Sequence, residues 1–181
     1  MVKALALQAE MMQEFGACVF DVTLDCEDGA PVGGERDHAF MVSALVNKGL
    51  VATKDVVPSL SRRVAVRVHP VDHPAFEQDV QIVLGEAAPA WSHLMLPKVD
   101  SVADVDRAAE VIDAVLAASS RTEVLPLHVL IESPLAVHQV AAIAAHPRVQ
   151  SLSFGLMDFV SAHGGAIPAS AMTVAESGAS V

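Results

Sequence analysis

Glu132 closes the run His128-Val129-Leu130-Ile131, and Asp158 comes just after Ser151-Leu152-Ser153-Phe154-Gly155. Both runs are β-like, so each acid stands where a strand leaves a core. Two carboxylates delivered by adjacent parallel strands repel each other unless a positive charge lies between them. Mg²⁺, held by one or two carboxylates plus waters and substrate oxygens, supplies that charge, and Mn²⁺ is the expected substitute. The other strand ends add Asp25, Glu27 and Asp28, then Arg67, then Lys98. In a parallel sheet these ends share one edge, so the set converges although it is spread along the chain.

The set has a chemical logic. Arg67 can grip a substrate carboxylate with two parallel hydrogen bonds, a geometry that lysine cannot copy. Glu132 and Asp158 would hold the metal, which takes the adjacent carbonyl. An enolate forming there is stabilised by several kcal/mol, which is what cleaving a C–C bond beside a carbonyl requires. Asp25, Glu27 and Asp28 would hydrogen-bond metal-bound waters and orient Arg67. Lys98, after Pro97, adds positive charge for substrate, or else is a solvated surface lysine; the residues leave both readings open.

The elements that must position these groups alternate. Helices are expected over 3–14, 35–46, 77–84, 104–118 (entered from Ser101) and 135–145. Strands are expected over 18–24, 63–68, 93–96, 124–131 and 149–154. That order argues for βαβ units and a parallel α/β sheet. After Asp158 the pattern fades, Gly164-Gly165 reads as loop, and 169–181 reads as a flexible tail. Residues 1–168 are thus expected to form an incomplete (β/α)8 TIM-barrel domain of about five parallel strands. An eight-stranded barrel typically takes ~250 residues, and the first and last strands are expected to be missing.

Composition bounds the function. The chain has 181 residues, 52% of them hydrophobic, enough for one domain with a sizeable core. A formal net charge of −11 argues against nucleic acid or an anionic membrane as partner. No apolar run approaches the ~20 residues of a membrane span. An anionic substrate must therefore meet local positive charge from an arginine, a lysine or a metal. Cys18 and Cys26, with no secretion signal ahead of them, favour reduced thiols in the cytoplasm.

Competing motifs are weak. The acidic turn at Asp25 opens like an EF-hand, but position twelve is Arg36, where a bidentate Glu is needed. His69 and His73, flanked by Pro70 and Pro74, read as surface loop histidines. His163 lines the site or caps a loop.

At these residues the chain resembles the HpcH/HpaI aldolase and citrate lyase beta-subunit family. F-D-V-T-L-D-C-E-D-G-A is similar to the family's strand ending in an L-E-D-A-type turn, and V-A-V-R-V-H to its V-R-V-N strand. L-M-L-P-K-V is similar to its M-L-P-K-V strand, V-L-I-E-S to its I-E-T strand, and S-F-G-L-M-D-F to its F-G-x-x-D segment. The five motifs occur in order from Phe20 to Phe159.

The resemblance implies a (β/α)8 barrel enzyme, Mg²⁺-dependent, that cleaves or forms a C–C bond in a 2-oxo acid or a hydroxy-acyl thioester. It maps Glu132 and Asp158 onto the metal carboxylates, Arg67 onto the substrate-carboxylate grip, and Glu27 and Asp28 onto the acidic turn near the metal. His69 departs from the Asn usual at that place. The family's first strand, last strands and C-terminal lid are expected to be absent, as in a truncated member. In the family's acyl-CoA lyases that lid carries an acid/base carboxylate into a neighbouring subunit, and the sequence assigns that role to no residue here.

Two functions follow. One is a Mg²⁺-dependent carbon–carbon lyase acting on a small carboxylate or an acyl-CoA. The other is a catalytically incompetent barrel fragment that binds metal or a partner subunit. Uncovered strand edges favour a homo-oligomer in both cases. A Schiff-base aldolase working through Lys98 is a lesser alternative.

Overall fold

The computed structural model describes residues 1–52, 62–85, 91–122, 124–168 and 170, with the side chains of 48–52 outside the description. The expected tail over 169–181 therefore lies outside the described residues except for Ser170. Five strands, β1 (Val22–Asp25), β2 (Val64–Arg67), β3 (Leu94–Leu96), β4 (Leu127–Ile131) and β5 (Val149–Phe154), form one sheet in the order β1-β2-β3-β4-β5. Every pairing is parallel. The helices between them are α2 (Glu35–Ala52), α3 (Phe76–Leu84), α4 (Val102–Ala118) and α5 (Pro134–Ala144). Helix α1 (Val2–Phe15) precedes the sheet and α6 (Leu156–Ala162) follows it.

Strand order equal to chain order separates this fold from a doubly wound sheet, where the order reverses at a switch point. Helix α2 packs on α3, α3 on α4 and α4 on α5, so the crossover helices form one layer on one face. That is the winding of a (β/α) barrel, of which this sheet is an incomplete arc.

The register sorts side chains between the faces. Leu24, Val66, Leu94 and Leu127 occupy one row, all fully buried in the core cluster with Val42, Val80, Val105 and Ile112 from the helices. The next row is Asp25, Arg67, Met95, His128 and Ser151. Because strand side chains alternate, this second row lies on the face turned from the helices. The chemistry-bearing residues sit there or just beyond it.

Local signals explain the boundaries. Helix α4 is entered from Ser101, as expected, and begins with a capping box in which Asp104 accepts the Ser101 backbone N–H. Helix α5 starts at Ser133, whose hydroxyl accepts the Ala136 N–H, followed by proline. Strand β1 begins at Val22, later than Cys18. The fully buried Gln8 of α1 gives its amide hydrogens to the Phe20 and Arg63 carbonyls, so α1 takes up backbone acceptors at the sheet's N-terminal end. The expected loop after Asp158 is helix α6, and Asp158 lies in its first turn. Seven residues are too few to show a helical period in sequence.

Candidate active site

The C-terminal edge of the sheet brings together Asp25, Glu27, Asp28, Arg67, Lys98 and Glu132 in one bonded chain. Arg67 holds Asp25 in a bidentate pair, Nε to Oδ1 and Nη2 to Oδ2, each 2.8 Å. Its Nη1 reaches Glu27 Oε2 at 2.8 Å, and Nη2 also reaches Asp28 at 3.1 Å. Asp25 further accepts the backbone N–H groups of Glu27 and Gly29. Burial alone would raise the Asp25 carboxyl, but the Arg67 hydrogen bonds and charge, helped by those two N–H donors, hold it below the ordinary range. The Arg67 guanidinium is raised correspondingly, chiefly by its bond to Asp25.

Glu27 is the bridge. It is buried, and while Oε2 accepts from Arg67, Oε1 accepts the Lys98 ammonium at 2.7 Å. Lys98 is thus neither a free surface lysine nor an unengaged nucleophile; its hydrogen bond to Glu27 raises its pKa and keeps it charged. Its backbone adopts φ 52°, a left-handed conformation uncommon outside glycine. In that conformation its N–H donates to Glu132 Oε2 at 2.8 Å.

Glu132, just past β4, is buried, and burial followed by the charges of Asp158 and Glu27 raises its carboxyl above the usual range despite the Lys98 N–H. A cleft of about 220 Å³ opens on it, lined by Lys98, Asp100, Glu132, Ser133, Asp158 and Ser161. Both proposed metal carboxylates therefore face one cavity. Gly155 makes room for the arrangement: a Cβ there would overlap Cγ and Oε1 of Glu132. The glycine of the F-G-L-M-D segment is the sequence signal for this.

The donor set fits a hard divalent cation. All its ligating atoms are oxygens, and five carboxylates (Asp25, Glu27, Asp28, Glu132, Asp158) share the edge with two cationic side chains. Among the described residues no three His, Cys, Asp or Glu side chains close around one point. Mg²⁺ keeps several waters and is typically held by one or two carboxylates, which Glu132 and Asp158 could supply.

One expectation needs correction, and one open reading is decided. His69 is not a surface loop residue. It is buried, its Nδ1–H donates to Asp79 Oδ2 at 2.6 Å, and its ring stacks on the exposed His73 at 4.4 Å. Proline flanks are compatible with burial here because Asp79, arriving on α3, satisfies both the ring and the His69 backbone N–H. His163 caps α6, its Nδ1–H donating to the Phe159 carbonyl.

Residues 4–179 match the HpcH/HpaI aldolase/citrate lyase family, and the chain belongs to it. It is 35% identical over 157 residues to an L-malyl-CoA/beta-methylmalyl-CoA lyase of Cereibacter sphaeroides, covering 85% of this chain and 46% of that protein. A solved citrate lyase from Burkholderia xenovorans superposes with TM-score 0.80 at 40% identity, over 97% of this chain and 51% of that one. A Haloferax volcanii malate synthase, solved with magnesium and glyoxylate, shares the fold at TM-score 0.64 and 18% identity, over 79% and 44%. The chain spans about half the length of the relatives it matches.

Proposed function

We propose that this chain carries the active site of a Mg²⁺-dependent carbon–carbon lyase acting on a hydroxy-acyl thioester or a 2-oxo acid. The barrel unit is residues 1–168, and it works in the cytoplasm, where Cys18 and Cys26 stay free. The observation that carries this reading is the mismatch at Glu132: a buried carboxylate beside Asp158 and Glu27, raised by its surroundings and lining a cavity. The citrate lyase and malyl-CoA lyase relatives favour the same chemistry.

Glu132 and Asp158 would hold the cation, which when bound draws electron density from a substrate carbonyl. Arg67 orients a carboxylate. Four of its five N–H groups are engaged by Asp25, Glu27 and Asp28, so a substrate carboxylate must displace the weakest of them. Asp28, 68% exposed and at the longest distance, is that one. Lys98 keeps Glu27 occupied and places its own backbone N–H on Glu132, fixing the carboxylate's orientation.

The test is Mg²⁺ titration by calorimetry together with cleavage of a panel of malyl-type thioesters and hydroxy-oxo acids. Binding with turnover is expected in the unmodified chain. Failure of Glu132→Gln and Asp158→Asn to change either measurement would refute the site.

A second reading is favoured by one observation. Phe154, Leu156 and Met157, at the β5 edge and in α6, are 52%, 46% and 70% exposed. An apolar edge of this kind suits association with a partner subunit or a second copy. Metal binding without turnover in the isolated chain, with activity gained on adding a partner, is the outcome that selects it.

A further inference from the structure

Two hydrogen bonds running in opposite directions tie the end of β3 to the end of β4. The Lys98 N–H donates to Glu132 Oε2 at 2.8 Å. One residue further along each segment's exit, the Ser133 hydroxyl donates back to Asp100 Oδ1. The two bonds close a ring through Lys98-Val99-Asp100 and Glu132-Ser133, and Val99 anchors its middle in the core cluster. Asp100 is therefore fixed relative to Glu132 by the same ring that orients Glu132.

Both ends of the return bond are held from behind. The Asp100 backbone N–H donates to Asp104 Oδ2 at 3.0 Å, the oxygen that also caps α4. Ser133 Oγ accepts the Ala136 N–H at 3.0 Å as the N-cap of α5. Neither cap uses the Asp100 carboxylate: α4 needs only its backbone N–H, and α5 needs Ser133 only as an acceptor. A hydroxyl carries one hydrogen, and Ser133 gives it to Asp100 Oδ1. Asp100 Oδ2 has no hydrogen-bond partner among the described residues.

This carboxylate stands at the cation cleft. Asp100 and Ser133 line the same space of about 220 Å³ as Glu132 and Asp158. The Lys98 ammonium, which also lines it, is engaged by Glu27. A third carboxylate beside two that already repel each other costs the empty site stability and contributes to no helix cap. It gains a partner once a cation and its water occupy the cleft. Among the described residues no three acidic or imidazole side chains close around one point, so the partner of Asp100 is water carried by the cation. Mg²⁺ keeps several waters, and each presents hydrogens to acceptors around the site.

We propose that Asp100, held by Ser133, is a positioning residue of the cation site and accepts a hydrogen bond from water on the bound cation. The assignment rests on the reading of Glu132 and Asp158 as the cation's carboxylates. Ser133 fixes the Asp100 carboxylate by its hydroxyl hydrogen and α5 by its oxygen, so one side chain couples the cleft wall to the helix start.

The experiment uses the full chain stripped of metal by chelator. Wild type, Asp100→Asn, Asp100→Ala, Ser133→Ala, Ser133→Thr and Glu132→Gln are titrated with Mg²⁺ by calorimetry, and metal-free thermal midpoints are read beside them. Waters on bound Mn²⁺ are counted by spin-echo spectroscopy in D₂O for wild type and Asp100→Ala. Asp100→Asn is expected to weaken Mg²⁺ binding roughly 10- to 100-fold, the scale for groups that orient metal ligands, without lowering the metal-free midpoint. Asp100→Ala should leave the Mn²⁺ water count unchanged. Ser133→Ala should weaken binding less and lower the metal-free midpoint, because α5 loses its cap. Ser133→Thr, which keeps donor and cap, should stay within about threefold of wild type. Mg²⁺ affinity of Asp100→Asn within threefold of wild type, while Glu132→Gln abolishes binding, overturns the assignment alone. A water gained on Mn²⁺ in Asp100→Ala marks a direct ligand, and a metal-free midpoint lowered by Asp100→Asn marks a structural role; either overturns it too. Mg²⁺ binding that Glu132→Gln leaves unchanged, or no binding by wild type, refutes the cation site and this assignment together.

Discussion

On the β1–β2 side of the site three carboxylates surround Arg67, and Asp25 is further tied by two backbone N–H groups. On the β4–β5 side Glu132 and Asp158 share a cavity with only the Lys98 N–H as a described donor to Glu132, because the Lys98 ammonium is engaged by Glu27. Similar residue types thus produce opposite electrostatics. The first side lowers its central carboxyl and is complete without ligand; the second raises its carboxyl and is short of positive charge. One half is a preorganised frame, and the other half is where a cation gains most by binding.

The comparison can be broken most severely at the cation side. Glu132→Gln combined with Asp158→Asn should reduce cleavage by about 10³-fold or more and abolish Mg²⁺ binding by calorimetry. The same variant should leave the unliganded fold at least as stable, since it removes the charge of a buried carboxylate that its surroundings disfavour. A fall in thermal midpoint without metal would show that the two sides do not differ as described.

Arg67→Lys tests the frame. A lysine cannot keep the bidentate pair with Asp25 while reaching Glu27, so a loss of about 100-fold in kcat/KM is expected, together with reduced thermal stability. Retention of both would show that Arg67 acts as a simple point charge. Gly155→Ala perturbs Glu132 without touching Arg67, and a loss of roughly tenfold in Mg²⁺ affinity is expected, on the scale of groups that orient metal ligands.

The smallest effect is the pH dependence, and its sign differs between the sides. The Asp25 contribution to stability is fully present above the unfolded carboxyl value of ~3.9 and is lost as pH falls through the lower folded value. Glu132 behaves oppositely: its folded value lies above the unfolded ~4.3, so the metal-free protein loses stability as pH rises through that interval. Saturating Mg²⁺ should offset that loss, by ~2.7 kcal/mol at a hundredfold excess over Kd. Thermal midpoints against pH, with and without Mg²⁺, read both signs in one series.

The strand ends were legible because parallel strands place their C-terminal residues at one edge whatever the helices between them do. Glu132, Arg67 and the acidic turn needed only a local β-pattern to be found, and the winding followed from strand–helix alternation. Helix α6 was not legible, since seven residues carry no period. Asp158 lines the candidate cleft, but from a helix turn instead of a strand exit.

Partnership could not be read along the chain. Glu27 bridges Arg67 and Lys98 across 40 and 71 positions, and Lys98 reads equally as a surface residue or a site residue until that contact is seen. His69 reads as a loop histidine until α3 brings Asp79 against it. The residue types and their order along the sheet edge are properties of the sequence alone, because strand direction and side-chain alternation are local. Which carboxylates are neutralised and which are left wanting charge was decided only by tertiary structure, because burial and opposite charges come from segments distant in sequence.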